Sequence, residues 1–291
     1  MVGPSLPSRA SRPRPSGSFI IKDMKIAVIQ MASGTDKAKN LRTALRLVQK
    51  ARSRGAQFIL LPEAFNFRGD EKRIGTNAEP IPGPSLLPLL EYAKEKRISI
   101  LAGTIGEKVE GEKKVYNTSV LIDERGRIKA IYRKMHLFDV TVDGKKTGES
   151  KKCLRGKRPV LTTVRGIPTG LSICYDLRFP ELYRDYSRRG ALILTCPSNF
   201  TATTGKAHWE ILLRSRAVEN LSYVLAPNQF GIGSKGILAY GNSMIVDPWG
   251  KILARASGNR EEILFATLSL GLQTRIRRSF PFLKHRKRRM L

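Results

Sequence analysis

Cysteine is scarce in this chain of 291 residues, where only Cys153, Cys174 and Cys196 occur. Their number is odd and no two of them have the CxxC spacing, which argues against a disulfide framework and against a thiolate metal cage. Thiols of this kind suit a reducing compartment. We therefore predict a cytoplasmic protein, in which Cys196 is a buried structural residue and Cys153 an exposed loop thiol.

Long apolar runs are also missing. No stretch approaches the roughly 20 consecutive apolar residues of a membrane span, and the start of the chain lacks the apolar region of a secretory signal. Hydrophobic residues nevertheless make up 41% of the chain, enough for one large core or two modest ones. We expect a globular protein with no membrane partner.

Acidic residues are few: 24 Asp and Glu stand against 53 Lys and Arg, a formal net charge of +29. Such a charge attracts polyanions and raises the hypothesis of nucleic-acid binding. The excess is thickest at the two ends, and the chain contains no helix-turn-helix, zinc-finger or RNP-like pattern. We expect no specific nucleic-acid partner, and a basic polyanion-binding protein without enzymatic activity remains an alternative.

The first 22 residues contain no acid and are rich in Pro, Ser and Arg. This composition fits an organelle transit peptide, which would place the protein in a mitochondrion or plastid. It equally fits a disordered basic extension ahead of Met24, which we favour because four prolines oppose an amphipathic helix. The predicted organisation is an extension at 1–22, one folded domain at 23–285 and a basic tail at 286–291.

Between Lys25 and about Leu270, apolar runs alternate with segments of helical spacing. Strands are predicted at 25–32 and 57–63, with an amphipathic helix between them, and the pattern repeats in the second half of the chain. The segment 115–134 is predicted to form two antiparallel strands joined by a turn at 124–126. Runs such as "FILLP" and "ALILT" are apolar on both faces, which predicts one α/β domain with mixed sheets covered on both sides.

Three reactive side chains stand where predicted strands end, which is where functional groups gather in α/β proteins. Glu63 ends "FILLPE", Lys134 ends "IKAIYRK" and Cys174 ends "TGLSIC". At a strand-to-helix corner, the backbone N–H groups of the turn and the positive end of the next helix favour a thiolate and a developing oxyanion.

A cysteine nucleophile also needs a base and a cation. One assignment pairs Cys174 with His136 or His208 in a Cys–His dyad. The other makes Glu63 the general base and Lys134 the electrostatic stabiliser. The residues alone leave both assignments open, as well as a Cys174 that is only a small buried hydrophobe.

Three segments resemble the catalytic segments of the nitrilase (carbon–nitrogen hydrolase) superfamily: "LLPEAFN", "YRKMHLFDV" and "CYDLRFPEL". The catalytic Glu, Lys and Cys of that family would match Glu63, Lys134 and Cys174. The likeness continues in "TGES", "TGKAHWEILLRSRAVEN" and "YGNSMIVDPWG" and covers roughly residues 24–285. Within the superfamily the sequence is most similar to the branch of omega-amidase and deaminated glutathione amidase, which hydrolyses amides and typically not nitriles.

The resemblance implies a four-layer α-β-β-α sandwich that forms a homodimer or a higher homo-oligomer. It also implies an amidase without metal or organic cofactor, which hydrolyses a primary carboxamide through a thioester on Cys174 and releases ammonia. Glu149 in "TGES" would be the second glutamate that supports the lysine; its other interpretation is a solvated loop carboxylate. Another amide or carbamoyl specificity within the same fold remains an alternative.

Substrates of this branch carry a free carboxylate, and Arg178 matches the family arginine that would bind it. A guanidinium can bind a carboxylate through two hydrogen bonds, although Arg178 can instead form an ion pair with Asp176 or Glu181. The backbone N–H of Tyr175 would help to hold the oxyanion. Phe200 and Thr201 are expected to line the substrate pocket.

Overall fold

The structure is a computed structural model that describes residues 23–70, 73–142, 144–233 and 236–287. The predicted extension at 1–22 and residues 288–291 of the predicted basic tail lie outside these ranges. The domain boundaries at 22 and 286 therefore remain predictions.

One mixed sheet forms the first half of the fold. Its strands are β1 (Met24–Gln30), β2 (Phe58–Leu60), β3 (Ser99–Glu107), β4 (Val115–Ile122), β5 (Ile128–Arg133), β8 (Cys153–Leu154) and β17 (Glu262–Leu268). Within the described ranges they run in the order β17-β1-β2-β3-β4-β5, with β8 beside β4. The pairs β1–β2 and β2–β3 are parallel, whereas β17 and the hairpin of β4 and β5 pair antiparallel.

A second mixed sheet comes from the other half of the chain. Its strands are β9 (Val160–Val164), β10 (Ile167–Leu171), β11 (Ile193–Thr195), β12 (Tyr223–Ala226), β15 (Met244–Val246) and β16 (Ile252–Arg255), in the order β16-β15-β12-β11-β10-β9. Two small hairpins lie outside the sheets and consist of β6 (Thr141–Val142) with β7 (Lys145–Lys146) and β13 (Phe230–Ile232) with β14 (Leu238–Tyr240).

The described helices alternate with the strands, and several of them begin at residues typical of helix starts. They are α1 (Lys37–Ser53), α2 (Ile74–Asn77), α3 (Leu87–Lys96), α4 (Pro180–Arg188), α5 (Ala202–Asn220) and α6 (Leu270–Ser279). Asp36 caps α1 by accepting a hydrogen bond of 2.9 Å from the N–H of Lys39. Pro180 occupies the first position of α4, where its missing N–H costs nothing.

The core lies on both sides of the first sheet. Its inner face, which includes Val28 and Leu60, packs against residues of the second sheet such as Leu194. Its outer face is covered by α1 and α3, while α4 and α5 pack on the second sheet. The result is the predicted four-layer α-β-β-α sandwich in one domain, which is confirmed.

The predicted antiparallel pair within 115–134 is also confirmed as β4 and β5. The helix α6 and the two small hairpins were not predicted. Of the described helices, none is long and apolar enough to span a membrane.

The expectation that Cys153 is an exposed loop thiol is wrong. Cys153 begins β8, which pairs in parallel with β4, and its side chain is buried against Val115 and Leu137. The surrounding "KKCLRGK" is so basic that the apolar contacts of this short strand are not apparent from the sequence. Cys196 is buried, as predicted for a structural residue.

Candidate active site

Glu63, Lys134 and Cys174 line one cavity of about 230 Å³ between the two sheets. Glu63 follows β2 and Lys134 follows β5, so both come from the first sheet, whereas Cys174 follows β10 of the second sheet. The three strand ends identified in the sequence therefore meet at one place.

Lys134 is the centre of an ionic cluster. Its Nζ lies 3.0 Å from Glu63 Oε1 and 2.9 Å from Glu149 Oε2, and only 3% of its side chain is exposed. Burial acts to lower the pKa of Lys134, but the charges of Glu149 and Glu63 outweigh it and raise that pKa well above its ordinary value. The ammonium therefore stays charged at neutral pH.

Glu149 lies inside this cluster. It begins a 3₁₀ helix, Glu149–Lys151, and its Oε2 also accepts a hydrogen bond of 2.7 Å from the N–H of Phe138. Its side chain is only 17% exposed. This position matches a carboxylate that supports the lysine and not a solvated loop residue.

Two asparagines fix the carboxylates, and the sequence analysis missed both. Asn117 Nδ2 donates to Glu63 Oε1 at 2.8 Å and to Glu149 Oε1 at 3.1 Å, while the N–H of Asn199 donates to Glu63 Oε2 at 2.8 Å. For Asn117 a signal existed: the register of the β4–β5 hairpin puts it opposite Lys134, whose N–H bonds to its carbonyl at 2.9 Å.

Cys174 has an unusual backbone, with a φ of 47° in the left-handed region. It begins the 3₁₀ helix Cys174–Arg178, and its side chain is buried. Burial, followed by the charge of Glu63, raises the pKa of the Cys174 thiol well above its ordinary value, although Lys134 and the N–H of Asn199 act to lower it. This direction favours the protonated thiol, whereas the sequence analysis expected the corner to favour a thiolate.

Asp176 holds the turn that carries Cys174. It is fully buried, and it accepts hydrogen bonds from the N–H of Ile173 at 2.9 Å, the N–H of His136 at 3.0 Å and the hydroxyl of Tyr132 at 2.7 Å. These contacts tie the 3₁₀ helix of the second sheet to the end of β5 in the first.

The histidines occupy other places. His136 Nδ1 lies 2.7 Å from Asp176 Oδ1, and its ring stacks on Phe179 with centroids 3.7 Å apart. His208 Nδ1 lies 3.2 Å from Arg178 Nη1. Across the described ranges no histidine lines the cavity. The geometry therefore favours Glu63 over a Cys–His dyad.

All four residues predicted to bind substrate line the cavity: Tyr175, Arg178, Phe200 and Thr201. The guanidinium of Arg178 lies 5.7 Å from the ring centroid of Tyr175 and 5.3 Å from that of Phe200. It forms no ion pair with Asp176, whose oxygens bind the groups named above, or with Glu181, so the alternative of a structural ion pair is not observed.

Two further segments contribute to the wall, and the sequence analysis did not assign the first of them. One follows Glu63 and contributes Phe67, Arg68 and Ile74; the other is the β13–β14 hairpin with Gly233 and Ile237. Within the part of the chain that the structure describes, no three His, Cys, Asp or Glu side chains lie close enough together to hold a metal ion.

The model of the carbon–nitrogen hydrolase family matches residues 25–278. The chain belongs to this family. It is accordingly a hydrolase of carbon–nitrogen bonds other than peptide bonds, an amidase, as its sequence predicts.

Proteins similar to this carbon–nitrogen hydrolase include named amidases. A protein of Synechocystis sp. named deaminated glutathione amidase is 41% identical over 270 residues, which cover 91% of this chain and 99% of that one. Omega-amidase NIT2 of Bos taurus is 38% identical, covering 90% and 95%. The crystal structure of Saccharomyces cerevisiae Nit3, a member of the nitrilase superfamily, superposes with a TM-score of 0.83 at 33% identity, covering 92% and 97%.

Proposed function

We propose that this amidase uses Cys174 as its nucleophile, Glu63 as its general base and Lys134 as its electrostatic stabiliser. Its substrate is a small amide that carries a carboxylate, in the first instance a primary carboxamide. The observation that carries the proposal is the meeting of these three side chains in one cavity, with Lys134 Nζ 3.0 Å from Glu63 Oε1.

In the first step, Glu63 takes the proton of the Cys174 thiol while the sulfur attacks the amide carbon. The raised pKa of Cys174 keeps the proton in place until a substrate is bound. The charge that develops on the carbonyl oxygen is held by the Lys134 ammonium and by the N–H of Tyr175. That N–H belongs to the first turn of a helix, where N–H groups lack partners within the helix.

In the second step, the carbon–nitrogen bond breaks and the proton on Glu63 passes to the leaving nitrogen, which departs as ammonia. Glu63, again a carboxylate, then takes a proton from water as the water oxygen attacks the thioester. The carbon–sulfur bond breaks, the acid leaves, and Cys174 regains a proton.

Glu149 keeps the Lys134 ammonium paired with a carboxylate throughout this cycle. With Lys134 between two carboxylates, the ammonium remains paired with Glu149 at 2.9 Å when Glu63 becomes protonated. The hydrogen bonds from Asn117 and Asn199 hold Glu63 in one orientation through both steps.

The carboxylate of the substrate is assigned to Arg178. The guanidinium lines the cavity, lies over two aromatic rings and has no carboxylate partner among the described residues. The relatives named deaminated glutathione amidase and omega-amidase support a substrate of this kind. Alpha-ketoglutaramate is the probe we choose for the first assays.

The test measures ammonia release from alpha-ketoglutaramate. Cys174→Ala is expected to lose turnover, and Glu63→Gln to lose it while the thiol remains. Cys153→Ala is the matched control, because this cysteine is buried against Val115 and Leu137 and does not line the cavity. Turnover by Cys174→Ala at the wild-type rate would contradict the proposal, as would a Glu63→Gln variant that stays active while His136→Ala is inactive.

We also propose a homodimer. Four large apolar side chains are exposed in neighbouring parts of the structure: Ile211 and Val218 line one groove, Val218 lies beside Gly250, and the ring of Trp249 contacts that of Phe280. The Trp249 side chain is 60% exposed and that of Ile211 63%, which is unusual for residues of this size. Light scattering should give twice the chain mass for the wild type and a lower mass for Ile211→Lys. A wild-type monomer at all concentrations would contradict this proposal.

We place the activity in the cytoplasm. The three cysteines are buried as thiols without a disulfide between them, which suits a reducing compartment.

A further inference from the structure

Arg68 is a second arginine on the cavity wall, and it is more deeply buried than Arg178, with only 7% of its surface exposed. Two of its three nitrogens are fully engaged by backbone carbonyls. Nε donates to Ser33 at 3.0 Å, and Nη2 donates to Phe230 at 3.0 Å and to Ile232 at 3.1 Å. These bonds fix the direction in which the guanidinium points.

The third nitrogen, Nη1, is left nearly unused. Its one hydrogen bond to a described residue is a long contact of 3.4 Å with Asn199 Oδ1, although Nη1 carries two N–H groups. Asn199 also lines the cavity, and its N–H binds Glu63. An acceptor inside the cavity can therefore reach an N–H donor whose position is already set.

Among the described residues, Arg68 also has no carboxylate paired with it. No carboxylate of the described ranges binds it, whereas the equally buried Arg216 pairs with Glu219 at 3.0 Å. Burial lowers the pKa of Arg68 to about 10, so the guanidinium remains charged at neutral pH. A buried cation without a partner is costly, and an anion that binds beside it removes part of that cost.

Arg277 shows what a purely structural arginine looks like in this fold. It too binds backbone carbonyls, those of Leu221 and Ala191, and burial lowers its pKa. It does not line the cavity. Arg68 differs in that its unused nitrogen belongs to the wall of the reaction site.

We propose that Arg68 is a specificity-determining residue that binds a carboxylate of the substrate through Nη1. Arg68 bonds to Asn199 and Arg178 to His208, so the two guanidiniums are held by different partners and are assigned to different carboxylates. The preferred amide therefore carries two carboxylates, one for each arginine. The inference rests on the proposed function, since it requires an amide bound at Cys174.

The second carboxylate can belong to the acyl part or to the amine part of the amide. Four amides of equal acyl length separate the two: pentanamide, glutaramate, pentanoylglycine and glutarylglycine. Pentanamide carries no carboxylate, glutaramate carries one on the acyl part, pentanoylglycine carries one on the amine part, and glutarylglycine carries both. Release of the acid product gives kcat/KM for each amide with the wild type, Arg68→Met, Arg68→Lys and Arg178→Met.

Each carboxylate should raise kcat/KM relative to the amide that lacks it. Arg68→Met should reduce this ratio for one carboxylate by about 10- to 100-fold, and Arg178→Met should reduce it for the other by a similar factor. The ratio between amides is the decisive readout, because a loss of folded protein lowers all four rates together. Arg68→Lys should restore part of the ratio through its charge. Arg277→Met is the control, expected to lower stability without moving any ratio.

Equal loss on all four amides would show that Arg68 only supports the fold, and the proposal would be overturned. It would equally be overturned if Arg68→Met changed no ratio or acted on the same carboxylate as Arg178→Met. A wild type that hydrolyses none of the four amides and does not act on alpha-ketoglutaramate would instead contradict the proposed function.

Discussion

Lys37, at the start of α1, and Lys134, after β5, each form an ion pair with buried glutamate. Lys37 forms an ion pair with Glu79, whose side chain is 5% exposed, and Lys134 lies between Glu63 and Glu149. By burial and charge pairing alone the two clusters look alike. They differ in whether their charged groups are fully bonded within the fold or line the cavity.

In the cluster of Glu79, every strong acceptor is used inside the fold. Besides Lys37, the carboxylate accepts from the N–H of Ser85 at 2.8 Å and from its hydroxyl at 2.6 Å. Glu79 ends the segment that contributes Phe67, Arg68 and Ile74 to the cavity, and its N–H binds Gly106 at 2.9 Å. This cluster anchors the wall.

In the cluster of Lys134, one lysine serves two carboxylates and all three side chains line the cavity. A proton can therefore leave or enter Glu63 without leaving Lys134 unpaired. The comparison teaches that burial and pairing alone do not distinguish the two clusters. The cluster of Lys134 is distinguished because its side chains line a cavity and because the lysine binds a second carboxylate.

The largest effect is expected from Lys134→Met. In the proposed mechanism the variant loses the cation that holds the oxyanion, and Glu63 and Glu149 lose the ammonium that both of them bind. We expect kcat/KM on alpha-ketoglutaramate to fall about 10³-fold or more. Lys37→Met is the matched control, which removes the other paired lysine and should keep the wild-type rate per folded molecule. Similar losses in both variants would erase the distinction between the clusters.

A smaller effect, on stability instead of rate, is expected from Glu79→Gln. The variant loses the charged hydrogen bonds to Lys37 and Ser85, which should lower the free energy of unfolding by about 1–3 kcal/mol. Urea unfolding followed by circular dichroism measures it, with the exposed Glu91→Gln as control. An unchanged midpoint would show that Glu79 does not anchor the wall.

The smallest effect is a change in the acid dependence of stability. Burial acts to raise the pKa of Glu79, but the hydrogen bonds from Lys37 and Ser85 outweigh it and hold that pKa below its ordinary value of 4.5. The unfolded chain therefore binds this proton more readily, so the contribution of Glu79 is complete above its ordinary pKa and is lost as the pH falls through the folded value.

Unfolding free energies from about pH 7 to about pH 4 should accordingly fall less steeply in Glu79→Gln than in the wild type. The slope should not vanish, because the pKa values of Asp123 and Glu262 are also lowered by hydrogen bonds that outweigh their burial. Parallel curves for the two proteins would contradict the assignment.

The alternation of strands and helices could be predicted because burial leaves a periodic pattern. In α1, for example, Ala44, Val48 and Ala51 are buried at the helical spacing seen in the sequence. Strands such as β8, β13 and β14 have only two or three residues, too few for any period. Their pairing depends on distant parts of the chain, as in the bridge between Thr201 and Ala239.

Site residues could be predicted where a reactive side chain follows the end of a strand, as for Glu63 and Lys134. They could not be predicted where a side chain takes its place from a distant backbone. Arg68 binds the carbonyl of Phe230, which is 162 positions away, and the N–H of Asn199 meets Glu63 across 136 positions. No local pattern records contacts of that range.

The left-handed backbone at Cys174 lowers the stability of the fold at the residue that the proposed reaction requires. Glycine adopts this conformation at no steric cost, whereas a residue with a Cβ is strained there by roughly 1–3 kcal/mol. A glycine at this position would relieve the strain, but it would also remove the thiol that the proposed mechanism requires. Under the proposed mechanism, the stability lost at Cys174 is therefore the consequence of keeping a thiol at this corner of the cavity.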